Sequence, residues 1–160
     1  MATWSELSAA EPRLASEGER LFHRGEVDEA LLATVRDDEP PRIHPVWIRV
    51  VDGRLYAFIG RSPKRTDLER DGRYALHAHQ DPDVPYEFTV RGRARLVDDA
   101  AERDRIAASW YFAAGDEYRL FEFGIDAALL GVRDSQDEWP PRYTSWSAPD
   151  HAPTGTPSGR

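Results

Sequence analysis

The residues Ser62-Pro63-Lys64-Arg65 have the types and the order of a helix start that can bind an anion. Serine is a favoured N-cap residue, and Pro63 suits the first helical position because its missing N–H would be unpaired there in any case. Lys64 and Arg65 then fall in the first turn, where the helix dipole disfavours basic side chains. Two cations beside unpaired N–H groups therefore predict a phosphate site. The alternative is that both are ordinary solvated charges on a surface helix.

Three histidines, His44, His77 and His79, are the other candidates for chemistry. His77 and His79 share a strand face, as two metal ligands would, and either His44 or His77 could ligate haem. No carboxylate or third histidine is placed beside them by spacing, so we expect a hydrogen-bonding role and no metal site. Paired acids fall in turns and caps, and no hydrolase triad, Rossmann or Walker motif is present. The sequence therefore identifies no catalytic residue.

Length and composition restrict the class of protein. The 160 residues are most simply one domain, and a net charge of −8 argues against nucleic-acid binding, which needs a basic face. The absence of cysteine excludes a disulfide framework and thiolate metal sites, and it fits a cytoplasmic location. The first residues lack the pattern of a signal peptide, and no apolar run approaches the length of a membrane span. We therefore expect a cytoplasmic protein without membrane contact.

Short apolar segments separated by turn residues predict the strands that position these groups. Residues 30–35 and 43–51 are the first two strands, and Asp52-Gly53 is a strong signal for a two-residue hairpin into a third at 55–59. Pro45 cannot donate to a strand ladder, so it marks an edge, a bulge or a gap where a ligand can approach. Trp47 shares its strand face with Pro45, which favours ring stacking or an interface over core packing.

The chain after residue 60 supplies the remaining elements. In order, we predict a helix from Pro63 to about Arg70 that stops at Asp71-Gly72, a strand at 74–79, a loop at 81–85, a strand at 86–97, a helix holding Ile106 and residues 110–112, and strand segments at 118–132. Gly92, inside the long strand, predicts a bulge or a bend at a barrel corner. The result is a mainly β fold with peripheral helices, in which about six strands form an antiparallel barrel.

The ends of the chain are expected to lie outside this barrel. We assign residues 1–27 to an N-terminal helical arm, 28–147 to the barrel domain and 148–160 to a disordered tail. Ser8 and Glu11 have the spacing of a capping box in the arm. Trp4 and Leu7 are expected to pack on the domain, with a lid or a dimer contact as the alternative.

The ordered set of segments resembles the pyridoxamine 5'-phosphate oxidase-like family, the FMN-binding split barrels. The matching segments are, in chain order, residues 33–36, residues 41–47, the Asp52-Gly53 hairpin, and residues 55–58, 62–64, 67–68 and 73–76. The resemblance covers roughly residues 28–133. It implies a six-stranded antiparallel Greek-key split β-barrel that forms a homodimer, with two flavin sites at the subunit interface.

The resemblance also implies which residues contact FMN. The strand segment that follows the flavin ring toward the phosphate falls on Arg42, His44, Pro45, Val46 and Trp47, and the next strand contributes Ala57 and Phe58. The phosphate-binding Ser-x-Lys falls on Ser62 and Lys64, with Arg65 adjacent. Glu87 stands where the family has a glutamine.

The resemblance implies an FMN-dependent oxidoreductase that acts on an unknown small organic substrate, with NAD(P)H or oxygen as its redox partner. In true pyridoxamine phosphate oxidases, arginines follow a C-terminal tryptophan. Here Trp146 precedes Ser147-Ala148-Pro149, which argues against the vitamin as substrate, and neither Trp139 nor Trp146 can be assigned to the site. Other relatives use deazaflavin, haem or no cofactor. The alternatives are therefore a non-enzymatic carrier of flavin, deazaflavin or haem, and a cofactor-free structural dimer.

Overall fold

The computed structural model describes residues 1–80 and 86–151. Its elements are, in chain order, α1 (Trp4–Ala10), α2 (Pro12–Phe22), β1 (His23–Arg24), β2 (Val27–Arg36), β3 (Glu39–Val51), β4 (Arg54–Ile59), α3 (Pro63–Arg70), β5 (Arg73–Ala78), β6 (Glu87–Leu96), α4 (Ala100–Ala107), β7 (Arg119–Val132), β8 (Arg142–Ser147) and a 3-10 turn (Pro149–His151). The loop predicted at 81–85 and the part of the predicted tail at 152–160 lie outside the described residues. None of the helices described here is long and apolar enough to cross a bilayer.

Six antiparallel strands close into a barrel in the order β2–β3–β4–β7–β6–β5, and β5 pairs with β2 to complete the ring. β4 and β5 follow each other in the chain but are not neighbours in the barrel. The helix α3 carries the chain across to the edge of β2 that is not paired with β3, and β5 pairs there. This Greek-key barrel confirms the predicted fold class. Two further strands extend it, with β1 paired to β2 and β8 paired to β7. The short β8 was not predicted, because its residues are mostly polar and exposed.

Three predicted turns and irregularities are confirmed. The hairpin residues Asp52 and Gly53 both have positive φ, as the tight turn between β3 and β4 requires. α3 ends at Arg70 and is followed by Gly72 with φ +76°, where an added Cβ would lie 2.7 Å from the Ala94 carbonyl oxygen. The register of β6 against β7 shifts at Gly92, which is the expected bulge.

The N-terminal arm packs against the barrel. Trp4 and Leu7 are fully buried, and the rings of Trp4, Phe22 and Phe88 form an edge-to-face cluster with Phe22 and Phe88 centroids 5.2 Å apart. Packing on the domain, the expected role of Trp4 and Leu7, is therefore what the fold displays. The capping box was placed wrongly, since Thr3 and Glu6 form it and a second helix begins at Pro12.

The helix expected to include residues 110–112 ends earlier, at Ala107. The three aromatic residues after it pack against one another and against the barrel, and Tyr111 and Phe112 both contact Trp47. Trp110 lies 5.1 Å from Phe58 between ring centroids, and the Tyr111 hydroxyl bonds to β2 and β3. This irregular segment covers the barrel beside the separation between β3 and β4.

Candidate cofactor cleft

The barrel is split between β3 and β4. The two strands pair only from Arg49–Tyr56 to the hairpin, after which β4 pairs with β7 alone and β3 with β2 alone. The facing edges of the two strands therefore carry backbone groups that are not paired with each other. A cleft of about 330 Å³ opens there, lined by Pro45, Val46, Trp47, Phe58, Ile59, Gly60, Lys64, Phe112 and Tyr118.

Lys64 crosses one end of this split from α3. Its Nζ donates a hydrogen bond of 2.8 Å to the carbonyl oxygen of Pro45, and its side chain is half-buried. Burial lowers the pKa of the Lys64 ammonium below the usual 10.5. It is the only lysine in a chain whose other basic side chains are arginines and histidines.

Arg42 and His44 lie near Lys64 on the inner face of β3. Burial is the main cause of a lowered His44 pKa, and the charges of Lys64 and Arg42 act in the same direction while Asp67 opposes them. The Nε2 atom of His44 is buried and has no hydrogen-bond partner among the described residues. Such an atom is the position where a bound group would be expected to supply a partner.

Asp67 supports this group from α3. Its carboxylate is buried, accepts a hydrogen bond of 2.9 Å from the Thr34 hydroxyl, and lies 3.9 Å from the Arg42 guanidinium. One buried carboxylate thus faces two side chains that are or can become cations, Arg42 and His44, and Lys64 adds a further positive charge beside His44. The balance leaves this end of the cleft able to accept an anion.

The start of α3 differs from the prediction in its side chains. Ser62 has the extended backbone of an N-cap, but its hydroxyl donates to the Gly60 carbonyl oxygen and makes no cap bond to the helix. Arg65 forms a 2.9 Å ion pair with Glu69 and donates to the Glu117 carbonyl oxygen at 3.1 Å. Ser62 and Arg65 both lie close to Lys64 in the chain. The Arg65 guanidinium, however, is already bonded to Glu69 of α3 and to the Glu117 carbonyl oxygen just before β7.

Aromatic side chains form the outer wall of the cleft. Trp47, 43% exposed, lies 5.8 Å from Phe112 and 6.1 Å from Tyr111 between ring centroids, and Phe112 lies 4.9 Å from Tyr118. Phe112 and Tyr118 were not predicted as site residues. Phe112 belongs to the aromatic run at 110–112, which was assigned to a helix, and Tyr118 begins the segment 118–132, which was assigned to strands.

Two predicted contacts lie elsewhere. Ala57 is fully buried in the barrel core, so only its backbone is near the split. Glu87 begins β6 opposite Gly131, where its carboxylate accepts a hydrogen bond from the Tyr143 hydroxyl. It does not line the cleft. Pro45, Val46, Trp47, Phe58 and Lys64 are the predicted residues that do line it.

The other histidines do not assemble a metal site. His79 has a buried Nε2 without a partner among the described residues, and the His77 Nδ1 faces the Ala78 carbonyl oxygen. In residues 1–80 and 86–151, no three ligand-type side chains converge as metal binding would require.

Comparison with known proteins gives the family. The sequence model of pyridoxamine 5'-phosphate oxidase matches residues 27–129, which is more than half of the chain. No match was found among curated proteins.

Solved structures with the same fold differ widely in sequence. A Clostridium acetobutylicum protein related to general stress protein 26, of the pyridoxinephosphate oxidase family, is 12% identical, with 92% of this chain and 98% of that one covered and a TM-score of 0.61. An FAD-binding protein from Mesorhizobium loti is 18% identical, with 72% and 92% covered and a TM-score of 0.55. A haem-binding protein from Mycobacterium smegmatis is 17% identical, with 81% and 57% covered and a TM-score of 0.58.

The chain spans little more than half of some matched proteins, 56% in one case and 57% in another. The neighbours therefore share its barrel, whatever else they contain. Together with the family match over the barrel strands, they identify the chain as a member of the pyridoxamine 5'-phosphate oxidase-like family of split barrels.

Proposed function

We propose that the protein binds FMN in the split between β3 and β4 and acts as a flavin-dependent oxidoreductase on a small organic substrate. The observation that carries this proposal is the buried, unpartnered Nε2 of His44 beside Lys64 and Arg42. A phosphate placed there would accept hydrogen bonds from His44 and Lys64 and would balance the local positive charge. Without such a group, the buried Nε2 of His44 has no hydrogen-bond partner among the described residues.

The rest of the cleft suits a flat polar ring. Trp47, Phe112 and Tyr118 offer aromatic surfaces, and the unpaired strand edges offer backbone donors and acceptors. The cleft volume, about 330 Å³, lies at the small end of the range of roughly 300–1,000 Å³ for ligand pockets, so a second subunit is expected to cover part of the cofactor. The proposal therefore includes the homodimer.

The flavin would supply the hydride or electron transfer when bound. The residues of this chain would hold the phosphate, orient the ring along residues 45–47 and exclude water from it with the aromatic wall. NAD(P)H or oxygen is the proposed redox partner. Support for flavin chemistry comes from the family match and from the FAD-binding neighbour.

Haem is the second candidate because the same His44 Nε2 could ligate iron. Its lowered pKa keeps the imidazole neutral, as a metal ligand must be, and one structural neighbour is a haem-binding protein. The positive charges of Arg42 and Lys64 would then face the haem propionates. We rank haem second because a phosphate would pair with the neighbouring cations, and a polar ring would bond to the unpaired strand edges, without any iron.

The test is a titration of cofactor-free protein with FMN, riboflavin, a deazaflavin phosphate and haemin, followed by fluorescence and absorbance. FMN should bind and riboflavin should bind markedly more weakly, because only FMN carries the phosphate. A Soret band that disappears in His44→Ala would favour haem, and the absence of any binding would favour the structural dimer. Bleaching of the bound flavin by NAD(P)H and recovery with a substrate or oxygen would separate an enzyme from a carrier.

A further inference from the structure

A second cleft lies next along β3 and shares no lining residue with the first. It has a volume of about 410 Å³ and is lined by Glu19, Phe22, His23, Asp28, Ile48, Arg49, Val50 and Leu55. The C-terminal turn of α2 forms one wall, and β3 forms the opposite one. Neither the family match nor the proposed cofactor accounts for the charged side chains that face it.

Asp28 fixes the orientation of His23 at the rim of this cleft. The Nδ1 of His23 lies 2.9 Å from Asp28 Oδ1, and the Tyr111 hydroxyl donates to Asp28 Oδ2 at 2.8 Å. Burial raises the pKa of Tyr111, so its hydroxyl stays protonated and serves as a donor. A neutral His23 must then carry its proton on Nδ1, which leaves Nε2 as a free acceptor. The His23 side chain is 61% exposed, so this acceptor is accessible.

Arg49 faces the cleft with a guanidinium that is held in place. It lies over the Tyr111 ring at 4.9 Å and donates from Nη1 to the Ser109 carbonyl oxygen. A guanidinium has five N–H donors, and this is the only hydrogen bond of Arg49 within the described part of the chain. The remaining donors can take up a carboxylate, which guanidinium groups bind in a bidentate fashion.

Glu19 contributes a carboxylate at the same opening. No ion pair engages it among residues 1–80 and 86–151, although the basic residues near it, Arg20 and Arg24, pair with Glu17 and Glu29. The set of Glu19, His23 and Asp28 does not qualify as a metal site in the described residues. The cleft thus offers a fixed guanidinium on β3 and two acceptors, Glu19 and His23 Nε2, on the α2 side.

We propose that this cleft binds a small zwitterion of the amino-acid class. Its carboxylate would pair with Arg49, and its ammonium group would donate to Glu19 and His23. Phe22, Ile48 and Leu55 lie almost completely buried beneath and give the cleft an apolar floor against which the side chain of the ligand would pack. This inference does not depend on the cofactor site, because the two clefts share no residue.

The test uses the full chain, with isothermal titration calorimetry and ¹H–¹⁵N NMR against three probes, L-alanine, propionate and ethylamine. L-Alanine should bind and should shift the resonances of Asp28 and Arg49. Propionate and ethylamine, which each lack one charge, should bind at least about tenfold more weakly. Arg49→Gln and Glu19→Gln should each weaken L-alanine binding by a similar factor. Arg13→Gln, an exposed change on the same helix α2, should leave it unchanged.

Three outcomes would overturn the inference. They are no L-alanine binding up to millimolar concentrations, propionate binding as tightly as L-alanine, and L-alanine binding that survives both substitutions. The dispersion of the NMR spectrum reports whether Arg49→Gln is folded. If that variant does not fold, Glu19→Gln remains decisive because Glu19 is exposed and its side chain forms no hydrogen bond or ion pair among the described residues.

Discussion

Lys64 and Pro45 are joined across the split of the barrel by a hydrogen bond of 2.8 Å from Nζ to the carbonyl oxygen. The bond holds the amine of α3 against the unpaired edge of β3, and the charges of Lys64 and Arg42 both act on His44 nearby. The lysine side chain is thereby partly buried before any ligand arrives. An anion that enters this end meets an amine that is already positioned, which reduces the entropic cost of binding.

Lys64→Gln should weaken FMN binding by roughly tenfold to a hundredfold, because a charge-assisted hydrogen bond contributes about 1.5–3 kcal/mol. Riboflavin binding should change little, since it has no phosphate. Arg61→Gln is the matched control, because Arg61 is an exposed cation of the same loop that makes no contact within the described residues. Fluorescence titration of wild type and both variants with each ligand measures the six affinities. Equal losses for FMN and riboflavin would place Lys64 at the ring and contradict a phosphate role.

His44 should make the stability of the cofactor-free protein depend on pH in a defined window. Its pKa in the folded state is depressed below the usual 6.5, first by burial and then by the charges of Lys64 and Arg42. The unfolded chain therefore binds the proton more readily, and stability is complete above pH 6.5 and falls as pH drops toward the depressed pKa. In urea unfolding, the free energy of unfolding of wild type should fall as pH drops through this range, while that of His44→Gln should lack this loss. The advantage of wild type over the variant should therefore shrink.

The matched control for this titration is Arg61→Gln, because Arg61 is exposed and an arginine does not titrate in this range. It should reproduce the wild-type loss of stability between pH 6.5 and the depressed His44 pKa. If His44→Gln retains that loss, the proton is taken up by another group and the electrostatic description of the cleft is wrong.

Much of the fold could be predicted because local signals and global topology agree. The Asp52-Gly53 turn, the stop at Gly72 and the bulge at Gly92 all depend on backbone geometry that a few residue types specify. The Greek-key order of the barrel strands came with the family resemblance, and the pairings of the structure display it. β8 escaped prediction because an exposed edge strand needs no apolar alternation, and its pairing to β7 is the only feature that defines it.

The site could be predicted only in part. Residues 45–47 and Lys64 line one cleft, and it was the family resemblance that grouped them in the sequence analysis. The aromatic wall could not be derived, since Phe112 and Tyr118 reach the cleft through tertiary packing of an irregular segment. Sequence spacing likewise could not reveal that Glu69 and the Glu117 carbonyl oxygen already engage Arg65.

Gly92→Ala should destabilise the barrel strongly. An added Cβ would lie 2.0 Å from the Gly124 carbonyl oxygen and 3.0 Å from the Asp126 amide nitrogen, and backbone atoms in a ladder cannot move aside. We expect a loss of about 3 kcal/mol or more in the free energy of unfolding, at the upper end of overpacking effects. Gly115→Ala is the control, since its close neighbour is the flexible Glu117 side chain. A loss below about 1 kcal/mol in urea unfolding would show that the bulge tolerates a side chain.

Ile43→Glu should disrupt the proposed homodimer. Ile43, Pro45 and Trp47 form an apolar strip on the outer face of β3, with Ile43 69% exposed in the single chain. Burying a carboxylate in an interface without a partner is costly, so the variant should sediment as a monomer while wild type sediments as a dimer. Trp139→Glu is the control, because Trp139 is 78% exposed and lies on the connection between β7 and β8. If the partner completes the cofactor site, FMN affinity should fall with the loss of the dimer, although Ile43 does not line the cleft. A monomeric variant that binds FMN as wild type does would show that one subunit is sufficient.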